Sequence, residues 1–87
     1  MKNCQILGYG KYTEKETNNE MIRIVVGIDS TSENYTGTMV TTAFLEYSKD
    51  LEDELNYAIK TGAAASYQTT DNIITGKTKI NKIIVNH

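Results

Sequence analysis

A mainly β fold with a single helix is predicted by three features of the 87-residue sequence. β-Branched residues alternate strictly through Ile22, Ile24, Val26 and Ile28, proline is absent from the whole chain, and one segment alone, Ser48–Gly62, changes from a two-residue to a helical period. Hydrophobic residues at 39% and charged residues at 23% are ordinary for a packed domain, and a chain this short builds one core. We therefore treat residues 1–87 as a single domain.

The first strand is read in Asn3–Tyr12, where Cys4, Ile6 and Gly8 share one side and Gln5, Leu7 and Tyr9 the other. Eight polar residues follow, and Asn18-Asn19, tolerant of left-handed backbone, set a hairpin with a mobile tip. Met21–Asp29 is the second strand; its other face carries Met21, Arg23, Val25 and Gly27, with Gly27 marking a bend or a bulge. After the turn-forming Ser30–Gly37, a third strand places Val40, Thr42 and Phe44 opposite Met39, Thr41, Ala43 and Leu45.

In the helix, Leu51, Leu55, Ala58 and Ile59 fall on one face, and Glu52, Asp53, Asn56 and Lys60 point away from it. Ser48 or Asp50 can cap its start, acids crowd a first turn where the dipole favours them, and Gly62 suits its end. Two more strands follow, separated by turn signals at Thr70–Asn72 and Thr75-Gly76. Five strands with a helix between the third and fourth is the layout of a five-stranded OB-like barrel, and closure would remove the exposed sheet edges.

Little in the chain supports catalysis. Gly76-Lys77-Thr78 looks like the end of a phosphate loop, but Asp71 stands where that motif needs its first glycine, and the following residues are β-branched instead of helical. A turn entering a strand is the simpler reading. The only histidine is the terminal His87, and Cys4 has no second cysteine to pair with, so no metal site, nucleophile–base pair or cofactor is expected. Cys4, alternating with Ile6, is read as a core residue. A lone cysteine, no secretory signal and no apolar stretch near the roughly 18 residues that span a bilayer lead to the expectation of a cytoplasmic protein.

Charge and aromatics carry the functional reading. Net charge is −2, yet Glu46, Asp50, Glu52, Asp53 and Glu54 are five of the eleven acids, and outside that segment basic residues outnumber acidic ones eight to six. Six of the seven aromatic residues are tyrosines: Tyr9, Tyr12, Tyr35, Tyr47, Tyr57 and Tyr67. Tyr9, Lys11 and Tyr12 cluster, Arg23 lies on the polar side of the second strand, and Lys77, Lys79 and Lys82 belong to the last. Rings interleaved with cations on a sheet face suit single-stranded nucleic acid, since bases stack on rings and phosphates meet cations. In the last strand, Lys77, Lys79 and Asn81 oppose Thr78 and Ile80 before Ile83-Ile84-Val85 breaks the alternation, which predicts a bulge or a strand end buried on both faces.

In its size, its strand order, its "YGKYTEKETNNEM" hairpin and its final "GKTKINKIIV" strand, the chain resembles the small single-stranded-DNA-binding proteins of phages and other mobile elements, an OB-fold group that includes the filamentous-phage type. The resemblance implies a non-catalytic binder that forms homodimers and holds DNA on an aromatic and basic strand face with a flexible hairpin. It nominates Tyr9, Lys11, Tyr12, Lys15 and Arg23, to which the aromatic and basic inventory adds Tyr67, Lys77 and Lys79. A second class is a mobile-element inhibitor of a host nucleic-acid enzyme, with the acids of Glu46–Glu54 mimicking phosphates. A third is an assembly subunit that uses an exposed strand edge.

Overall fold

The computed structural model describes residues 2–32 and 34–86; Met1, Glu33, His87 and the side chains of Ser30, Thr31, Ser32 and Tyr35 lie outside the described part. Five strands and one helix follow in the predicted order: β1 (Lys2–Thr13), β2 (Glu20–Ser32), β3 (Tyr35–Glu46), α1 (Lys49–Thr61), β4 (Ala64–Asp71) and β5 (Thr78–Val85). All neighbours pair antiparallel in one sheet of order β3-β2-β1-β4-β5. With no proline to remove a ladder donor, β1, β2 and β3 run to 12 or 13 residues. The sheet is not closed into a barrel. Strands β3 and β5 are its two edges, and they approach only around a groove bordered by Phe44, Leu45, Glu46, Lys79, Asn81, Lys82 and Ile83.

The core lies on one face of this sheet. Ile22, Ile24 and Val26 are fully buried, as their alternation predicts, and Cys4, Ile6, Ala43, Ala65, Tyr67, Ile80, Ile83 and Val85 complete the layer beneath α1. Strand β1 departs from simple alternation. Ile6 pairs with Val26, but the next pair is Gly8 with Val25, so Leu7 is an unpaired, bulged residue. One inserted residue reverses the phase of everything beyond it: Tyr9, opposite Ile24, turns to the core side, and Gly8 turns outward. The predicted grouping of Gly8 with Cys4 and Ile6, and of Tyr9 with Leu7, is thereby corrected. Gly27 accommodates the bulge, because a Cβ there would lie 3.2 Å from Thr38 Cγ2 and 3.4 Å from Leu7 Cδ1.

Helix α1 begins where the Ser48 side chain accepts from the Leu51 amide at 3.1 Å. It ends at Gly62, in the left-handed conformation (φ 73°), whose amide donates to the Ala58 carbonyl. Leu55 and Ala58 are buried and Leu51 half-buried against the sheet, whereas Ile59, predicted on the same face, stays 45% exposed. The β1–β2 hairpin turns at Glu14–Asn19 with Asn18 at φ 60°, as its asparagines suggest.

The β4–β5 hairpin accounts for the last strand. Gln68 pairs with Lys82 and Thr69 with Ile80, so Asn81 is bulged, the local break that the lost alternation predicts. Between the strands, the Asn72 amide donates to the Lys77 carbonyl, Asn72 Oδ1 accepts from the amides of Ile74 and Thr75, and Gly76 takes φ 69°. Gly76-Lys77-Thr78 is thus a turn leading into β5. Among the described residues, no helix is long and apolar enough to cross a membrane.

Candidate nucleic-acid interface

The outward face of β1, β2 and β3 gathers residues far apart in sequence. Strand register sets Gly10 beside Arg23 and Arg23 beside Phe44, and in the next row Tyr12 beside Met21. A Cβ on Gly10 would lie 3.9 Å from Arg23 Nη2, so the absent side chain leaves the guanidinium room to lie over β1. The Tyr12 and Phe44 rings meet edge to face, centroids 6.4 Å apart at 85°. Gly10, Lys11, Tyr12, Arg23 and Phe44 line a shallow concavity of about 220 Å³.

Phe44 was not among the residues nominated from sequence, although it is 56% exposed and borders two depressions. The second is the groove between the sheet edges, where Met21, Phe44 and Leu45 from one side face Lys79 and Lys82 from the other. Phe44 therefore joins the Tyr12–Arg23 platform to the lysines of β5. The signal was present in the alternation of β3, which puts Phe44 opposite Ala43 and Leu45. What was missing was knowledge of which side faces the core.

Tyr9 and the Lys11 ammonium belong to a different cluster on the inner side, although Lys11 also lines the concavity. The Tyr47 hydroxyl donates to Glu52 Oε1 at 2.9 Å, Lys11 Nζ approaches Oε2 at 3.3 Å, and the Tyr9 hydroxyl lies 3.2 Å from Oε2 and 2.9 Å from Asn56 Oδ1. With its single proton, the Tyr9 hydroxyl is shared between the last two acceptors. Lys11 also stands 5.4 Å from the centre of the Tyr47 ring. Contrary to the helical-wheel expectation, Glu52 is only 15% exposed, and it ties α1 to β1.

These bonds hold the Glu52 carboxyl below the usual carboxylate range, chiefly through the Tyr47 hydroxyl, with Lys11 and Tyr9 adding to it and desolvation opposing. The same contact raises Lys11 and Tyr47 above their ordinary values, each first through its hydrogen bond to Glu52. A depressed carboxylate stabilises the fold above its unfolded pKa and loses that contribution as pH falls through the lower folded value. Raised Lys11 and Tyr47 contribute below their unfolded values, about 10, and lose it as pH rises through the folded ones. Glu52→Gln is accordingly expected to lower the melting temperature at pH 7 and to flatten the decline of stability below about pH 4. Thermal melts from pH 2 to neutrality, on the order of one unit apart, check this; parallel wild-type and variant curves would contradict it.

The remaining nominated residues are dispersed. Lys15 is exposed in the β1–β2 turn and Lys77 in the β4–β5 turn, outside both depressions, while Lys79 lines the edge groove. Tyr67, expected to present a ring, is 7% exposed within the core. Its ring has too little free surface to stack on a base. Burial also pushes the Cys4 thiol up, away from the thiolate that nucleophilic or metal chemistry needs. Compared with known proteins, the chain matches no family model, no curated protein and no solved structure.

Proposed function

We propose that the protein is a non-catalytic module for single-stranded DNA, built as an opened OB-like barrel whose β3 and β5 edges flank the binding groove. The observation that carries this reading is the grouping of Tyr12, Phe44 and Arg23 on one outward sheet face, continuous through Phe44 with Lys79 and Lys82. Bases stack on the two exposed rings, Arg23 lies over a base or meets a phosphate, and the β5 lysines follow the backbone. The two nearby hairpin turns, with Lys15 and Lys77, border the path. Neither lysine need touch every ligand.

The phosphate-mimic reading is the weaker one, because the acidic helix is already engaged. Glu52 is held by Tyr9, Tyr47 and Lys11, and Asp53 pairs with Lys49 at 2.9 Å. Two central acids are thus partly neutralised where a mimic would need them free.

Titration with oligo-dT at two salt concentrations tests the proposal. The chain has no tryptophan, so its tyrosine emission reports stacking directly. Quenching is expected, with an affinity that falls as salt rises; no binding at low salt would remove the reading. Reversing Arg23, Lys79 and Lys82 together to glutamate should abolish binding and leave the circular dichroism spectrum unchanged. If those three cations each meet a phosphate, they account for about 2 in the slope of log K against log salt. Undiminished affinity in the triple variant would mean that DNA uses another face.

A further inference from the structure

We propose that the free edge of β3 pairs antiparallel with the same strand of a second copy, across Thr36–Thr42. The two edges of the sheet differ in kind. Strand β5 is eight residues long, carries Lys79 and Lys82, and is broken by the Asn81 bulge, all features that discourage strand addition. Strand β3 has none of them. From Tyr35 to Leu45 it contains no charged residue and no proline, and its register with β2 runs without a bulge from Met21–Glu46 to Ser32–Tyr35. Apart from Gly37, at φ 142°, the edge is unbroken, and an edge this long with no further strand beside it is a template for another strand.

Two side-chain observations point to a copy of this chain as the occupant. Met39 and Val40, neighbours on opposite faces of β3, are 52% and 64% exposed, so apolar surface is left open on both sides of the edge at one place. A two-fold axis perpendicular to the sheet keeps each face on its own side and sets one residue of the stretch against its own equivalent; Met39 or Val40 in that place brings the exposed apolar side chains together. About Met39, Thr38 then faces Val40 and Thr36 faces Thr42, pairs that are favourable across strands, and no charge meets a like charge. On β3 itself Glu46 falls outside the paired stretch, and Asp29, opposite Thr38 on β2, accepts from the Thr38 hydroxyl at 2.8 Å. Phe44, where β3 nears β5, also stays outside it, leaving the edge groove open in the dimer.

The test uses the full chain without DNA, so it is independent of the binding reading. Sedimentation equilibrium over about 1–100 μM should give twice the monomer mass, and a monomer throughout would overturn the proposal. Met39→Lys or Val40→Lys, whichever lies on the axis, should return the monomer, because like charges would then stand about 5 Å from their equivalents. Ile73→Lys, at an almost fully exposed position in the β4–β5 turn, should leave the dimer intact. A dimer that survives both β3 changes, or is lost in Ile73→Lys, would place the interface elsewhere. Cross-linking supplies a check that does not depend on weakening anything: in a Cys4→Ser background, Met39→Cys or Val40→Cys should form an intermolecular disulfide on mild oxidation, and failure of both would sink the edge pairing.

Discussion

Phe44→Ala is expected to weaken oligo-dT binding about 10- to 100-fold, the equivalent of one lost base–ring stack. Phe44 is mostly exposed and lies outside the core layer, so its ring does little for the fold. The variant should therefore melt within a few degrees of the wild type. Phe44→Leu keeps apolar bulk but no ring face and should bind nearly as weakly as alanine, whereas Phe44→Tyr should bind like the wild type. Tyr12→Ala is predicted to act in the same direction, and the pair is not additive, because each ring sets the edge-to-face position of the other. Competition titrations at fixed salt measure all four. Equal affinity for Phe44→Ala and wild type would disconnect the platform from the lysines and leave the proposed path without its centre.

Much of the architecture is legible in the sequence for identifiable reasons. The run Ile22–Ile28 alternates without interruption, so β2 and its buried face follow from period alone. Ser48 and Gly62 bound the helix by chemistry that acts within one turn. Closure of a barrel is another matter, because it depends on how far a sheet curls and whether two edges meet in register, quantities that no local pattern carries.

The site was partly legible. Lys11, Tyr12, Arg23 and Lys79 line the two depressions, but Tyr9 was grouped with Tyr12 by proximity in sequence, and the Leu7 bulge changes what that proximity means. Past the bulge, Tyr9 turns inward to Glu52 while Tyr12 faces out. Tyr67 shows the same lesson from residue type: an amphipathic ring on a strand is equally at home in a core. Phe44 was passed over for the opposite reason, since a lone phenylalanine on a strand is expected inside.

Leu55→Ala is expected to cost about 2–5 kcal/mol, the largest effect predicted for a single change in this chain. Leu55 is fully buried where α1 meets the sheet, and a cavity left there cannot fill cheaply, since Ile22, Ile24 and Val26 are held in strand register. A domain of this size has only about 4–13 kcal/mol of total stability, so the variant should lose a large fraction of it and melt more than about 10 °C lower. Ile59→Ala provides the comparison, because it removes an apolar side chain of the same size from the same helix at a position that is 45% exposed. Its cost should stay below about 1 kcal/mol. Urea unfolding of both, read at constant m-value, separates two views of the helix. If Leu55 anchors α1 to the sheet, the two costs differ severalfold. Equal, small costs would mean that α1 is held by the Glu52 cluster instead, and Glu52→Gln would then be the more damaging change.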